Sequence, residues 1–304
     1  MGYNEKYIVI GECKMRKNLY ALMLAAMFFT LQSFSEANAQ IPVGSVVQNQ
    51  LVIDTSREGT KVIPLPPGVW TVAYSIKVRG GSTGNGNHYI DIVLIDKMSG
   101  VMRKLISVRV NDDTDTHKTF TDEPCKRTNA FHKNDYGTRL WEQRCLMVSH
   151  VVNFVGTDRR LSSAIRAYLL NNNINFPKTA FGMSYTQFDR FGSFMEIRLR
   201  FNPVAYGFMD TNTEYNFSPW HKDVIQSDQA RAQFASRVVS YSEAYANALQ
   251  LAFNKSPAPF MLQFDAPVQN LNIDEINSKC TEIGFKPKTK AHRDCATELQ
   301  KRVN

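Results

Sequence analysis

The sequence predicts an α+β protein: an antiparallel β-sheet body covered by a long helix, with a small disulfide-stapled helical hairpin at the C-terminus. Three observations support this prediction. Apolar and polar residues alternate along several segments, as they do on strands with one buried face. Over 228–254, apolar residues recur every three or four positions, which is the spacing of a helix. Near the C-terminus, Cys280 and Cys295 flank a turn between two short helical segments.

The N-terminal segment has the three-part pattern of a secretory signal peptide. Arg16 and Lys17 precede an uncharged apolar run over 19–31, and the small residues Ala37 and Ala39 follow at the distance of a cleavage site. An uncleaved membrane anchor is the alternative, but the strongly apolar part is short for a span of about 20 residues. We therefore expect cleavage after Ala39 and a periplasmic or secreted chain with no stable membrane span.

The residues ahead of this leader make it too long when it is counted from Met1. Counted from Met15, the leader has 25 residues, within the usual range of about 15 to 30. We therefore expect translation to start at Met15.

Composition limits the class of protein and the partners. Without 1–39, which hold four basic and three acidic residues, 265 residues remain, with 32 Lys or Arg and 25 Asp or Glu and a net charge of +7. This length suits one large or two small domains. The positive charge favours contact with anionic envelope polymers or an envelope protein. Nucleic acid is not expected as a partner, because the chain is predicted to be exported and has no nucleic-acid-binding motif.

Strand patterns fill most of the body. The segment 70–79 alternates regularly and 89–96 is more fully apolar, so 70–110 predicts a three-stranded antiparallel meander. A second hairpin is predicted over 180–201, whereas 111–136 is polar and rich in turn residues and predicts a long loop. In chain order, strands are predicted at 51–53, 61–65, 70–79, 89–96, 102–110, 140–155, 180–188 and 191–201.

Helices are predicted at 158–170, at 228–254, and in the tail at 276–283 and 290–302. Ser218 followed by Pro219 also has the pattern of a helix start. These elements suggest an α+β domain over 40–255, a linker over 256–272 and a helical tail over 273–304.

Cysteine usage agrees with export. Cys13 lies ahead of the leader, and the remaining four cysteines allow three pairings. They form two local pairs, so we expect bridges Cys125–Cys145 and Cys280–Cys295, each stabilising the fold by about 2–4 kcal/mol. A redox or zinc site would require Cys-x-x-Cys spacing, which these residues lack.

The tail resembles one seen elsewhere. The residues Cys280-Thr-Glu-Ile-Gly-Phe285, followed by Pro287, Thr289 and Cys295, are similar to a paired-cysteine tail of many uncharacterised exported proteobacterial proteins. The resemblance covers about 16 residues, and Lys288 stands where glycine is expected. It implies an envelope setting and no particular activity.

Two loop motifs are candidate sites. Gly80-Gly-Ser82-Thr-Gly84 matches the pattern of a serine-hydrolase turn, but that chemistry requires a strand-to-helix turn and the flanks here are two strands, so a hairpin loop is favoured. Asn111, Asp113 and Asp115 place oxygens at alternate positions, as calcium loops do. Thr116 occupies the position that requires glycine, so an acidic solvated loop is favoured over calcium.

Trp220 and His221 are the remaining ligand candidates. A Trp–His pair can stack on a sugar ring, although anchoring a helix start is the commoner role for such residues. The six histidines are scattered without metal-binding spacing.

These observations lead to an expected function. We expect no catalytic residues and no cofactor, and we expect non-catalytic binding or assembly in the cell envelope. Two alternatives stay open. One is a secreted hydrolase whose site is assembled from distant residues, and the other is a carbohydrate or small-ligand binding module.

Overall fold

The computed structural model describes residues 41–78, 88–113, 123–139, 142–154, 160–189, 191–211, 214–264, 273–282 and 286–303. All of them belong to the unit Gln40–Asn304. Within these residues the strands are β1 Val46–Val47, β2 Gln50–Thr55, β3 Gly59–Pro64, β4 Trp70–Val78, β5 Tyr89–Met98, β6 Val101–Asn111, β7 His132–Arg139, β8 Glu142–Val152, β9 Thr179–Phe188 and β10 Phe194–Phe201. The α-helices are α1 Glu123–Lys126, α2 Arg160–Asn171, α3 Gln229–Phe253, α4 Ile273–Glu282 and α5 Lys290–Val303.

Eight strands form one sheet in the order β1-β4-β5-β6-β10-β9-β8-β7, and β2 and β3 form a separate two-stranded sheet. Every neighbouring pair in the large sheet is antiparallel. The predicted meander is β4-β5-β6 and the predicted second hairpin is β9-β10. The α+β prediction is therefore confirmed.

The large sheet is covered on both faces, and β5 shows how the sequence achieves this. Ile92 and Leu94 belong to the main core with α3 and the β2–β3 hairpin, whereas Val93 and Ile95 belong to a second core with α2. Successive side chains of a strand point to opposite faces, so a stretch that is covered on both faces favours apolar residues at consecutive positions. This accounts for the apolar run 92–95 in β5.

Helix α3 covers the main core because its apolar residues form one stripe. Phe234, Val238, Tyr241 and Leu249 are all buried on it. Asp228 caps the N-terminus of the helix, and its carboxylate accepts a hydrogen bond from the Arg231 backbone amide at 3.0 Å. The cap satisfies an amide that has no partner within the helix.

Two local predictions are wrong. The predicted loop 111–136, of which 114–122 lie outside the described residues, contains α1 and part of β7, and β7 pairs with β8. The expected α-helix at Ser218 does not form: 3₁₀ turns occur at Tyr215–Phe217 and Ile225–Ser227, and the Ser218 hydroxyl accepts a hydrogen bond from the Trp220 amide at 3.2 Å.

The C-terminal helices α4 and α5 are joined by the predicted Cys280–Cys295 disulfide. The bridge packs with Ile276 and with Val101 at the start of β6. Part of the predicted linker, up to Phe264, is described, and Phe260 and Phe264 are buried in the main core. None of the helices in the described ranges combines the length and the apolar character needed to cross a membrane.

Cys125 and Cys145 are buried thiols in the structure, which does not contain the predicted bridge between them. They lie in one small cluster with Met147, where α1 packs on β8. The hydrogen bond with Cys125 is the main cause that raises the pKa of the Cys145 thiol, and burial adds to it. The sequence thus predicts their proximity correctly, but in the structure the two sulfur atoms are not covalently bonded to each other.

Candidate functional site

A cleft of about 680 Å³ opens at one end of the large sheet, beside the C-terminal end of α3. Its walls combine aromatic rings, carboxamides and charged groups. The lining residues are Tyr136 and Gly137 of β7, Gln143 and Arg144 of β8, Gln187 and Phe188 of β9, Asp189 and Phe191 of the following turn, and Gln250, Phe253, Asn254 and Lys255 at the end of α3.

The wall formed by β7 is held by Glu243 of α3. His132 Nε2 lies 2.7 Å from the Glu243 carboxylate, Asn134 Nδ2 donates to it at 3.2 Å, and the Tyr136 hydroxyl donates to its other oxygen. These three partners occupy alternate positions of β7 and therefore share one face of the strand. A single carboxylate thus fixes the edge strand of the sheet to the helix.

The Glu243 network also sets protonation states. Burial alone raises the pKa of the Glu243 carboxyl, but hydrogen bonds from Tyr136, His132 and Asn134 outweigh it and hold the pKa below its usual value. Burial and the bond to Glu243 raise the pKa of the Tyr136 hydroxyl. At neutral pH Tyr136 is therefore a hydrogen-bond donor rather than a base.

We expect Glu243→Gln to lower the free energy of unfolding by about 1–2 kcal/mol at pH 7, because bonds to a charged acceptor are lost. The folded-state pKa of Glu243 is lowered, so its contribution is full above the unfolded pKa of about 4.5 and is lost as the pH falls through the folded value. Urea unfolding at pH 7 and pH 3 measures this difference.

A matched control is Glu214→Gln, since Glu214 is exposed and its side chain makes no capping bond. Its effect should be near zero at both pH values. A Glu243→Gln penalty that stays constant between pH 7 and pH 3 would contradict the proposed ionic origin.

Arg144 is held next to this network. Its guanidinium carbon lies 3.9 Å from the centroid of the Tyr136 ring, a stacking distance. Within the described ranges, no carboxylate forms an ion pair with Arg144. The cleft therefore presents a positioned guanidinium that is not paired with a described carboxylate.

The carboxamides on the walls differ in the hydrogen bonds that they form. The Gln187 Oε1 accepts a hydrogen bond from the Tyr185 hydroxyl at 2.5 Å. Gln143 is only 2% exposed, and neither its amide nitrogen nor its amide oxygen has a hydrogen-bond partner. A buried amide without partners is costly, and such groups in native proteins call for a structural or functional explanation.

The turn after β9 forms the remaining wall. Asp189 Oδ1 accepts hydrogen bonds from the backbone amides of Phe191 at 2.8 Å and Ser193 at 3.0 Å. These bonds hold the turn that carries Phe191, whose side chain is 58% exposed. Asp189 thus has a structural role in this turn.

A polar cluster lies beside this turn and joins the β2–β3 hairpin to the large sheet. Lys61 Nζ lies 2.5 Å from Glu58 and donates to Ser193 at 3.0 Å and to Asn111 at 3.1 Å, and Ser193 donates to Glu58 at 2.8 Å. Burial raises the pKa of the Glu58 carboxyl, but the bonds from Lys61, Asn111 and Ser193 outweigh burial and hold the pKa below its usual value. The carboxyl is therefore ionised. The cluster has the character of a structural ion pair.

Trp220, a ligand candidate from the sequence, is a core residue. It is 1% exposed, and its ring centroid lies 5.7 Å from that of Phe181, 5.0 Å from Phe208 and 5.5 Å from Phe234. Its faces are occupied by protein, so we do not retain it as a ligand residue. It does not line the cleft.

His221 lies near two other rings and not in the cleft. Its ring centroid is 5.8 Å from that of His150 and 5.5 Å from that of Tyr215. His150 stacks on Tyr215 at 4.1 Å, and burial lowers the pKa of His150 to about 4, so the ring is neutral at physiological pH. This is a packed aromatic cluster.

The calcium candidates are only partly described. The Asn111 side-chain oxygen accepts from Lys61 at 3.1 Å, and Asp113 pairs with Arg57 at 3.0 Å. Asp115 lies outside the described residues, as does the glycine-rich loop 80–84. Among the residues that are described, no group of three or more His, Cys, Asp or Glu side chains could hold a metal ion.

Sequence reasoning missed the cleft because its residues come from separate strands and a helix end. Strand β7 gives no alternation of apolar and polar residues, because Lys133 and Asp135 between His132, Asn134 and Tyr136 are polar as well. No family model, curated protein or solved structure matches this chain.

Proposed function

We propose that this chain is exported and acts in the cell envelope as a non-catalytic binding protein, with the cleft as its ligand site. The predicted leader and the Cys280–Cys295 disulfide support export, because disulfides persist in oxidising compartments. The observation that carries the binding proposal is the cleft wall itself. Aromatic rings, carboxamides and a positioned guanidinium converge there, as they do in ligand sites.

The alternative of a secreted hydrolase has weaker support at this site. A serine nucleophile requires a neighbouring base with a pKa near the working pH. Ser193, two residues beyond Phe191, has the Glu58 carboxylate as its neighbour, and the pKa of that carboxyl is lowered. A carboxylate with a lowered pKa is a weak base at neutral pH, so this arrangement favours structure over catalysis.

One experiment tests export and binding together. The protein is purified from the periplasmic fraction under native conditions, and its mass is measured before and after denaturation. We expect a chain that begins at Gln40 and carries a non-covalently bound molecule that denaturation releases unchanged. Ala39→Lys should stay unprocessed, because the cleavage site requires small residues.

The denatured protein should also be two hydrogens lighter before reduction than after it, because Cys280 and Cys295 are bridged. A loss of four would show that Cys125 and Cys145 are joined as well. Recovery of the full-length chain from the cytoplasm, with all thiols reduced, would refute the export part of the proposal.

A further inference from the structure

We propose that the cleft binds a carboxylate-bearing saccharide and that Arg144 receives the carboxylate. This inference rests on the proposed binding function and adds the chemical class of the ligand.

The charge of the ligand follows from the charges on the cleft walls. Arg144 and the exposed Lys255 are cationic, and no described carboxylate forms an ion pair with either. Asp189 is the acidic residue of the lining, and one of its oxygens already accepts two backbone amides. The lining therefore carries two positive charges and one negative charge, a net charge of +1, which favours an anionic ligand.

The carboxylate is favoured by the geometry of Arg144. A guanidinium is a planar fork of donors that matches the two oxygens of a carboxylate. Tyr136 supports this fork at 3.9 Å, and Glu243 holds Tyr136 through its hydroxyl. Because the side chain is already positioned, less conformational entropy is lost when the ligand binds.

The saccharide part follows from the carboxamides and the rings. Gln187, Gln250 and Asn254 each carry a donor and an acceptor, and so does every sugar hydroxyl. Phe191 is 58% exposed and gives an apolar surface for the C–H face of a sugar ring. A polyhydroxylated ring that bears a carboxylate matches both kinds of wall.

Gln143 gives a second reason to expect a ligand that carries hydroxyl groups. Its amide donor and acceptor are both without partners, although it lines the cleft. Both amide atoms are covered by protein in the unbound structure, so the lining has to open before a ligand hydroxyl can satisfy them by donating and accepting at once. The cost of burying the amide would then be recovered on binding.

An extended peptide is the main competing occupant, because β7 is the edge strand beside the cleft. The β7–β8 pairing, however, shifts register between Asp135 and Thr138. Such an irregularity interrupts the regular row of backbone groups that an added strand needs. The structure therefore favours the saccharide.

The test is calorimetric titration of the purified full chain with a uronic acid trisaccharide, the matching neutral trisaccharide, inorganic phosphate and an acidic extended peptide. We expect the uronic acid trisaccharide to bind at least tenfold more tightly than the neutral one and more weakly at high salt. Arg144→Gln should weaken its binding at least tenfold. Arg144→Lys should give an intermediate loss, because the charge stays and the fork does not.

Arg166→Gln is the matched control, since Arg166 is exposed on α2 and does not line the cleft. It should bind as the parent does. Thermal unfolding of each variant must match that of the parent, and Arg144→Lys keeps the test valid if Arg144→Gln fails to fold.

Several results would overturn the inference. Equal affinity for the neutral trisaccharide, full competition by phosphate alone, or unchanged binding by Arg144→Gln would remove the role assigned to the carboxylate. Binding of the peptide and of no saccharide would overturn the ligand class and leave the proposed binding function intact. If no probe binds and the native mass shows no bound molecule, the binding function fails as well.

Discussion

Asp96→Ala is expected to lower the free energy of unfolding by about 3–5 kcal/mol, because it removes the carboxylate that two buried cations share. Arg103 Nη2 donates to both Asp96 oxygens at 2.9 and 2.8 Å, and Lys104 Nζ lies 3.1 Å from one of them. The side chains of Asp96 and Lys104 are each 2% exposed. Water cannot replace the lost charge, so both cations become costly to bury.

Urea unfolding of the purified variant measures this effect. Asp54→Ala is the matched control, because Asp54 is also on a strand but is exposed, and it accepts a hydrogen bond from the Thr60 hydroxyl at 2.8 Å. It should cost about 1 kcal/mol or less. Similar losses of stability in the two variants would contradict the large contribution to stability that is expected from the buried ion cluster.

The ion cluster shows a limit of sequence reading. Asp96 and Lys104 look like ordinary polar residues at the ends of apolar strands. The β5–β6 hairpin places them directly opposite one another, and burial then turns them into an ion pair. The short turn between the strands was predicted, so the pairing could have been derived from the hairpin register. Their burial could not, because it depends on residues distant in sequence.

The elements with strong apolar periodicity were predicted well for a physical reason. In β4–β6 and α3 the spacing of apolar residues follows directly from which face is buried. Strand β7 lacks this signal, since it reads His132-Lys-Asn-Asp-Tyr-Gly-Thr-Arg139. Its strand conformation comes from pairing with β8, and its polar face is used by Glu243. The cleft could not be predicted for the same reason, because one of its walls is this strand.

Trp220→Ala is expected to cost about 3–5 kcal/mol of stability, the range for removing a buried aromatic side chain. The sequence favoured anchoring of a helix start and left stacking on a ligand as the alternative for Trp220. The core role and the stacking role predict opposite results. A core residue affects unfolding and not binding, whereas an exposed stacking residue affects binding and not unfolding. With 1% exposure and three aromatic neighbours, the core role is expected.

The measurement is urea unfolding together with titration of the uronic acid trisaccharide. Phe217→Ala is the control, because Phe217 is 74% exposed and close in sequence, and it should change stability by about 0.5 kcal/mol or less. Trp220→Phe keeps most of the ring volume, so it should fold and bind with unchanged affinity even if Trp220→Ala is too unstable to titrate. Loss of binding in a well-folded Trp220→Phe variant would return Trp220 to the ligand site. It would also move that site from the cleft beside Tyr136 to the aromatic cluster around Trp220 and His221.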